Sequence, residues 1–392
     1  MEGLFFFGSD GGHTVKITAV EIVEPDEANV GNYYWVLIHT DAGLTGLGET
    51  YHGFRGAAKA CLRAFGDSLV GGNADDIEGI YQGLFRASSY HGHDGAEFRA
   101  MSAIDVALWD LKGQALGVPV YQLLGGACRD CVPVYYSGGL DGLPHERTPI
   151  MERAHWLVEN GWGAFKKDIF QGMKRRSPTA LPSYLSAAEI RTATDELRWV
   201  REAVGEQLEI CIDCHALWDV PSAVKCAQAL EEFNVMFIEE PIGPDNAAAM
   251  AKVARATRTP VCTGERLFGR FRFRELLEAH ACDVLMPDLA WTGGISETRK
   301  IAYMAETYYV PIAPHNYGPV TCAALTHVMA HVPNTRYLEF TADHYQRWNQ
   351  GPGWNTWIDH PIVASQGALP LPTRPGLGVA LSDRVLRHGP RS

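Results

Sequence analysis

Six polar residues, Asp213, Glu239, Glu265, Asp288, His315 and Glu339, recur at steps close to the length of one strand-plus-helix unit, each at the end of a short apolar run. Brought together, they would form three carboxylates, an Asp/His pair and a further Glu. Three carboxylates in a half-buried site repel one another, and one or more stays protonated unless a cation neutralises them. Asp213, Glu239 and Glu265 are hard oxygen ligands with no thiolate among them, which suits Mg²⁺, or Mn²⁺ in its place, better than zinc. One acid at a strand end is an ordinary loop residue or helix cap. Three on successive strands predict a metal site, with one ion per subunit.

The elements that must position them can be read from the same runs. LEICID, VMFIE, PVCTGE, DVLMPD, VPIAPH and RYLEF are brief β-branched or aromatic stretches, each followed by helix-like sequence rich in Ala, Leu and charge. Strands buried on both faces have this composition. If the units close into a β/α barrel, all six polar side chains reach the C-terminal mouth, where barrel enzymes assemble their chemistry. Residues 1–130 open instead with alternating strand-like sequence, KITAVEIVEP and YYWVLIHTDAGLTGLGE, and then turn helical. This reads as an α+β domain. Between the second and third barrel strands, QGMKRRSPTALPSYLSAAE is too polar for core and longer than a usual loop, and is expected to form a flap over the mouth.

In their order along the chain, GLTGLGE (43–49), AIDVALWDLKGQALGVPVYQLLGG (103–126), IDCH, FIEEP, TGE, PDLAWTGGI, APHNYGP, YLEF and PGLGVALSD give the chain a resemblance to a known group over nearly its whole length. It resembles the mandelate racemase branch of the enolase superfamily, and within it the sugar-acid dehydratases of the galactonate dehydratase type. The resemblance implies an α/β protein: a modified (β/α)8, TIM-like barrel over 131–340, an α+β capping domain over 1–130, and a segment 341–392 that returns to complete the cap as part of a lid. It places the metal ligands at Asp213, Glu239 and Glu265, a His/Asp dyad at His315 and Asp288, and a late Glu at Glu339.

The implied reaction is a magnesium-dependent dehydration in sugar-acid catabolism. A proton next to a carboxylate is too weakly acidic to leave at neutral pH unless the developing enediolate is stabilised, and Mg²⁺ as a Lewis acid supplies that stabilisation. Enolase-superfamily sites pair such an ion with a Lys or His base, a general pattern rather than one deduced from this chain. His315 is the expected base, its tautomer fixed by Asp288. His215, two residues after Asp213, shares its face as long as the strand continues. The resemblance assigns it the acid that protonates the departing C3 hydroxyl, the alternatives being a hydrogen bond to substrate or a weak further ligand. Glu339 is expected to bind the substrate carboxylate in its protonated form, which burial favours. Strands three and seven lie opposite one another, so an anti elimination is expected.

At the second barrel strand the chain departs from the Lys-x-Lys of racemases in this branch. GAFKKDIF puts Lys166 and Asp168 at the matching positions, with Lys167 turned toward helices or solvent. A two-base racemisation loses a partner there, and a one-base dehydration loses nothing essential. Lys166 is expected to neutralise the substrate carboxylate and Asp168 to bind a hydroxyl, with a base role for Asp168 open. The alternatives are a racemase or epimerase of a 2-hydroxy acid on the same scaffold, or a non-catalytic relative. Substrate contacts are expected from cap loops near 29–34 and 51–55, from 88–94 and from the Trp-rich C-terminal segment, through Tyr51, His52, Arg55, Tyr90, His91 and Trp348. These groups suit a polyol chain, and each is equally compatible with packing.

A net charge of −12, from 34 basic and 46 acidic residues, argues against a nucleic-acid partner. No stretch is long enough to span a bilayer, and MEGLFFFGSD makes a poor signal peptide, so a soluble cytoplasmic protein is expected, with a homo-oligomer implied by relatives. Two CxxC pairs occur, Cys128/Cys131 and Cys211/Cys214. On the strand LEICID, residues three apart face opposite ways and cannot hold one zinc ion, and free, mostly buried thiols are expected.

Overall fold

The computed structural model describes residues 15–25, 33–51, 56–90, 92–168, 184–341 and 353–389. Strands β1 (Ile17–Val23), β2 (Tyr33–Thr40) and β3 (Thr45–Tyr51) form an antiparallel meander. Its turn, Asp41-Ala42-Gly43, needs the left-handed backbone that Gly43 adopts at φ 75°. One face of this sheet packs on the 21-residue helix Ala96–Leu116. Gly48 permits the approach, because a Cβ there would lie 1.8 Å from the Ala103 carbonyl oxygen.

The larger sheet runs β4 (Cys131–Tyr136), β5 (Ala164–Lys167), β6 (Glu209–Asp213), β7 (Phe237–Glu239), β8 (Val261–Thr263) and β9 (Val284–Leu285), all parallel and paired in chain order. β10 (Leu338–Phe340) pairs with β4 on its other side. Parallel bridges from Leu285 to Ile312, Asp288 to His315 and Ile312 to Thr335 carry the circuit from β9 back toward β10. The barrel therefore closes through the segment around His315. Helices follow the strands as the alternation requires. The one at Ala187–Val204 starts with a reciprocal capping box between Ser186 and Glu189.

The barrel interior holds Tyr135, Ala164, Cys211, Phe237, Cys262, Met286 and Ala313, a layer just below the mouth. Cys214 belongs instead to the core shared with the outer helices. The nine cysteines are free thiols, with Cys128 and Cys131 exposed, Cys61 half-buried and the other six buried. β11 (Ala368–Pro370) adds antiparallel to β4. Further along the same segment Leu377 N–H donates to Asp110 of the cap helix at 2.7 Å, and Trp357 packs edge-on against Tyr33 and Trp35 of β2. No helix among the described residues is long and apolar enough to cross a membrane. Most of the expected flap, residues 171–183, lies outside the described residues.

Candidate active site

The side chains of Asp213, Glu239, Glu265, Asp288, His315 and Glu339 are all buried. Asp213 and Glu239 face one another in register as the last residues of β6 and β7. Glu265 comes two residues after β8, and Asp288 caps the short helix Leu289–Thr292 by accepting from Ala290 N–H at 2.8 Å. Each acid stands at the C-terminal end of its strand.

Lys166 lies one strand period below this ring, opposite Cys211, and its four-carbon stem lifts the ammonium among the carboxylates. Its Nζ is 2.8 Å from Glu339, 3.0 Å from Glu239 and 3.4 Å from Asp213. Burial opposes that charge, but Glu239 and Glu339 outweigh it and hold the ammonium far above its ordinary pKa. Glu339 receives Ser137 Oγ–H at 2.6 Å as well. Burial pushes Glu339 up, while Lys166 and then His315 pull it below the ordinary range. The neighbouring ammonium thus opposes the protonated form that burial alone favours. Lys167 turns to the helix side, buried, donating to the Leu140 carbonyl and 3.4 Å from Asp141.

Two imidazoles flank the carboxylates, each with its own acid. His315 Nδ1 is 2.6 Å from Asp288 Oδ2, and its Nε2 faces Glu265 at 3.5 Å and Glu339 at 3.8 Å. An ionised Asp288 accepts only, which places the proton on Nδ1 and leaves Nε2 facing the site. Burial works against protonation of His315, but Glu339, Glu265 and Asp288 together raise it to about 10. A cation bound at Glu265 would oppose that attraction and lower the imidazole's pKa.

His215 Nδ1 is 3.0 Å from Asp168 and 3.4 Å from Asp213. β6 ends at Asp213, and His215 has a φ of 48°, so the strand continuation expected to align the two is absent. A turn does it instead, with His215 N–H donating to Asp213 Oδ1 at 2.9 Å. Burial lowers the His215 pKa, but Asp213 and Asp168 raise it to about 9.

The other expected residues divide. Tyr51 is a correction: it ends β3 fully buried, with its hydroxyl donating to Asp288 Oδ2 at 2.9 Å, because the cap sheet packs directly against the dyad. Tyr33 and Tyr34, at the end of the expected 29–34 loop, are likewise buried in β2. Tyr90 is 96% exposed in the turn Ser88–Tyr90. His52, Arg55, His91 and Trp348 lie outside the described residues. Sequence reasoning missed Ser137, which stands just past β4 as the other site residues stand past their strands, and Arg266, which pairs with both Glu240 and Glu265. The strand-end rule applied to VPVYYS would have found the first.

Among the described residues, no three His, Cys, Asp or Glu side chains stand close enough to cage an ion as they are placed. The donor set nevertheless fits a hard cation. Among the described residues Glu239 Oε1 is buried with no hydrogen-bond partner, and burial together with Asp213 pushes the Glu239 pKa well above its ordinary value. A cation on that oxygen would relieve both. Asp213 is held low despite burial, by Lys166 and then His215, so it already offers an anionic ligand.

Residues 26–125 match the family model for the mandelate racemase / muconate lactonizing enzyme N-terminal domain, and residues 150–385 match the enolase C-terminal domain-like model. The chain is 35% identical to a D-xylonate dehydratase of Haloferax volcanii over 96% of its length and 90% of that protein's. It is 34% identical to a D-galactonate dehydratase of Variovorax paradoxus, covering 92% of this chain and 91% of the relative. A solved enolase of the mandelate racemase subgroup from Agrobacterium tumefaciens superposes with a TM-score of 0.84 at 32% identity, over 96% of this chain and 97% of that one. With cap and barrel both matched, the chain belongs to the enolase superfamily, in its mandelate racemase/muconate lactonizing enzyme family.

Proposed function

We propose that this protein is a hydro-lyase that dehydrates a sugar acid, an aldonate or aldarate, to a 2-keto-3-deoxy acid with Mg²⁺ as its cofactor. The observation that carries the reading is the pair of imidazoles with separate carboxylate partners, His315 with Asp288 and His215 with Asp168, on either side of one cluster of buried acids. One base and one separate acid are what an elimination needs. The named activities of the D-xylonate and D-galactonate dehydratase relatives support the same class.

His315 Nε2 takes the proton from C2 of the substrate, and Asp288 holds the imidazolium that results. Asp213, Glu239 and Glu265 are the residues that would hold the divalent ion, whose Lewis acidity toward the substrate carboxylate stabilises the enediolate as it develops. His215, protonated beside Asp168, gives its proton to the C3 hydroxyl as the C–O bond breaks, so that water leaves. The enol then takes up the keto form. Lys166, fixed among Glu239, Glu339 and Asp213, offsets the negative charge that a substrate carboxylate brings. A lysine base on the second strand, which racemisation would use on the opposite face, is replaced by Asp168 engaged with His215.

Screening mono- and diacid sugars with Mg²⁺ for 2-keto product tests the reading. Release of a 2-keto-3-deoxy acid from at least one of them is expected. Inversion at C2 without loss of water would point to an epimerase instead.

A further inference from the structure

The dyad does not stand on the barrel alone. Tyr51, the last residue of cap strand β3, donates its hydroxyl to Asp288 Oδ2 at 2.9 Å, the same oxygen that faces His315 Nδ1 at 2.6 Å. The Tyr51 oxygen in turn accepts Tyr317 N–H at 2.8 Å, from the residue two after His315. Asp288 Oδ1 is taken by Ala290 N–H at 2.8 Å. The carboxylate is therefore held on both oxygens, once from its own helix and once from the other domain.

The ring and backbone of Tyr51 are fixed as firmly as its hydroxyl. Trp291 Nε1–H donates to the Tyr51 carbonyl at 3.0 Å, and the two rings meet edge-on at 5.8 Å. Arg99, on the cap helix, donates to the same carbonyl and lies with its guanidinium 4.2 Å from the Trp291 ring centroid. Trp291 also lies against the His315 imidazole at 5.4 Å, and Tyr317 stacks on the imidazole's plane at 6.4 Å and 6°. Donating to Asp288 and accepting from Tyr317 N–H, the buried hydroxyl is held in one orientation between the segments that carry the dyad. Burial and the charge on Asp288 keep the phenol protonated far above its ordinary range, so it stays a donor.

We propose that Tyr51 is a positioning residue for proton abstraction: the cap domain supplies, through its hydroxyl, the third member of an Asp288–His315 relay and fixes the carboxylate that orients the base. The inference rests on the dehydratase reading above. It assigns Tyr51 no contact with substrate, and the dyad is complete only when cap and barrel are docked. Loss of the hydroxyl removes one charge-assisted hydrogen bond between two buried groups, which corresponds to roughly a tenfold effect on the step it serves.

The test uses Tyr51→Phe, which keeps the ring packing, together with Asp288→Asn and the double variant, assayed on the sugar acid that the wild type dehydrates. The expected result is a fall of about tenfold in kcat with KM unchanged, and a double variant no slower than Asp288→Asn alone, because Tyr51 acts only through Asp288. A Tyr51→Phe enzyme at the wild-type kcat overturns the inference, as does a KM effect without a kcat effect. Multiplicative losses in the double variant also overturn it, since they mark general destabilisation, and this comparison holds even if the single variant folds poorly. A wild type that dehydrates no sugar acid overturns the functional reading and is told apart from these outcomes by the wild-type assay itself.

Discussion

Asp168 Oδ2 lies 3.0 Å from His215 Nδ1, across from a second acid–imidazole pair in which Asp288 Oδ2 lies 2.6 Å from His315 Nδ1. A position that carries a basic residue in racemases of this branch here carries a carboxylate that partners an imidazole. The two pairs are built alike and differ in exposure, with His315 buried and His215 open to the mouth.

Replacing Asp168 by Asn keeps a hydrogen-bond partner for His215 but removes the charge that helps hold it protonated. Measurable dehydration is expected to remain, with kcat down about tenfold, whereas His315→Asn should lose roughly 100- to 10,000-fold as removal of an essential base does. Steady-state assays of the two variants side by side decide it. The reverse ranking would move the base to the second strand.

The Oε1 of Glu239, without a hydrogen-bond partner among the described residues, leads to a metal prediction. Chelation should abolish turnover, and added Mg²⁺ should restore it to the wild type but not to Glu239→Gln at the same concentration. Mn²⁺ should substitute for Mg²⁺, since both are hard ions of octahedral preference. Full turnover by metal-free enzyme would contradict the ligand assignment.

Close packing of the cap predicts a large cost for one methyl group. In Gly48→Ala the added carbon would overlap the Ala103 carbonyl, a backbone atom of a buried helix that cannot swing aside. A destabilisation of about 3 kcal/mol is expected, read as a shift in denaturant midpoint. Gly43→Ala, in the open turn of the same sheet, should cost less and for a different reason, its positive φ.

Acid stability should depend on His327, far from the chemistry. Its Nδ1 accepts Tyr121 N–H and its Nε2 lies on the Leu377 carbonyl, both at 3.2 Å, an arrangement that only the neutral ring satisfies. Burial lowers its pKa from 6.5 to about 4. Between those values the unfolded chain binds a proton that the folded one refuses, so this contribution is present above about pH 6.5 and is lost as pH falls toward 4. The shift corresponds to at most about 3 kcal/mol. Glu49, Asp105 and Asp110, each raised by burial to about 7, act in the opposite sense over an overlapping range. The comparison must therefore be between wild type and His327→Gln, whose stability difference should shrink from pH 8 to pH 5. A difference independent of pH would show that the ring is not held neutral.

Much of the barrel was legible because parallel strands advertise themselves by a buried run ending in a polar residue, and Asp213, Glu239, Glu265, Asp288, His315 and Glu339 all follow that rule. What the sequence hid was tertiary. The charge of Glu339 depends on Lys166, whose reach from one register below is invisible in the spacing of strand ends. His215 meets Asp213 through a left-handed turn rather than along a strand, so the proximity was expected for the wrong reason. Tyr51 was grouped with the mouth as part of the cap loop at 51–55. Its hydroxyl instead meets an aspartate 237 residues away, a contact that local pattern cannot show.

The division of labour between the two imidazoles is tested most directly by following the substrate's C2 hydrogen in D₂O by NMR while dehydration is assayed in parallel. His215→Asn removes the acid and leaves His315, Asp288 and the carboxylates in place, so it should stop dehydrating yet still exchange C2–H for deuterium. His315→Asn should do neither. If His215→Asn dehydrates near the wild-type rate, or if it loses exchange as completely as His315→Asn does, the assignment of base and acid to separate histidines is contradicted.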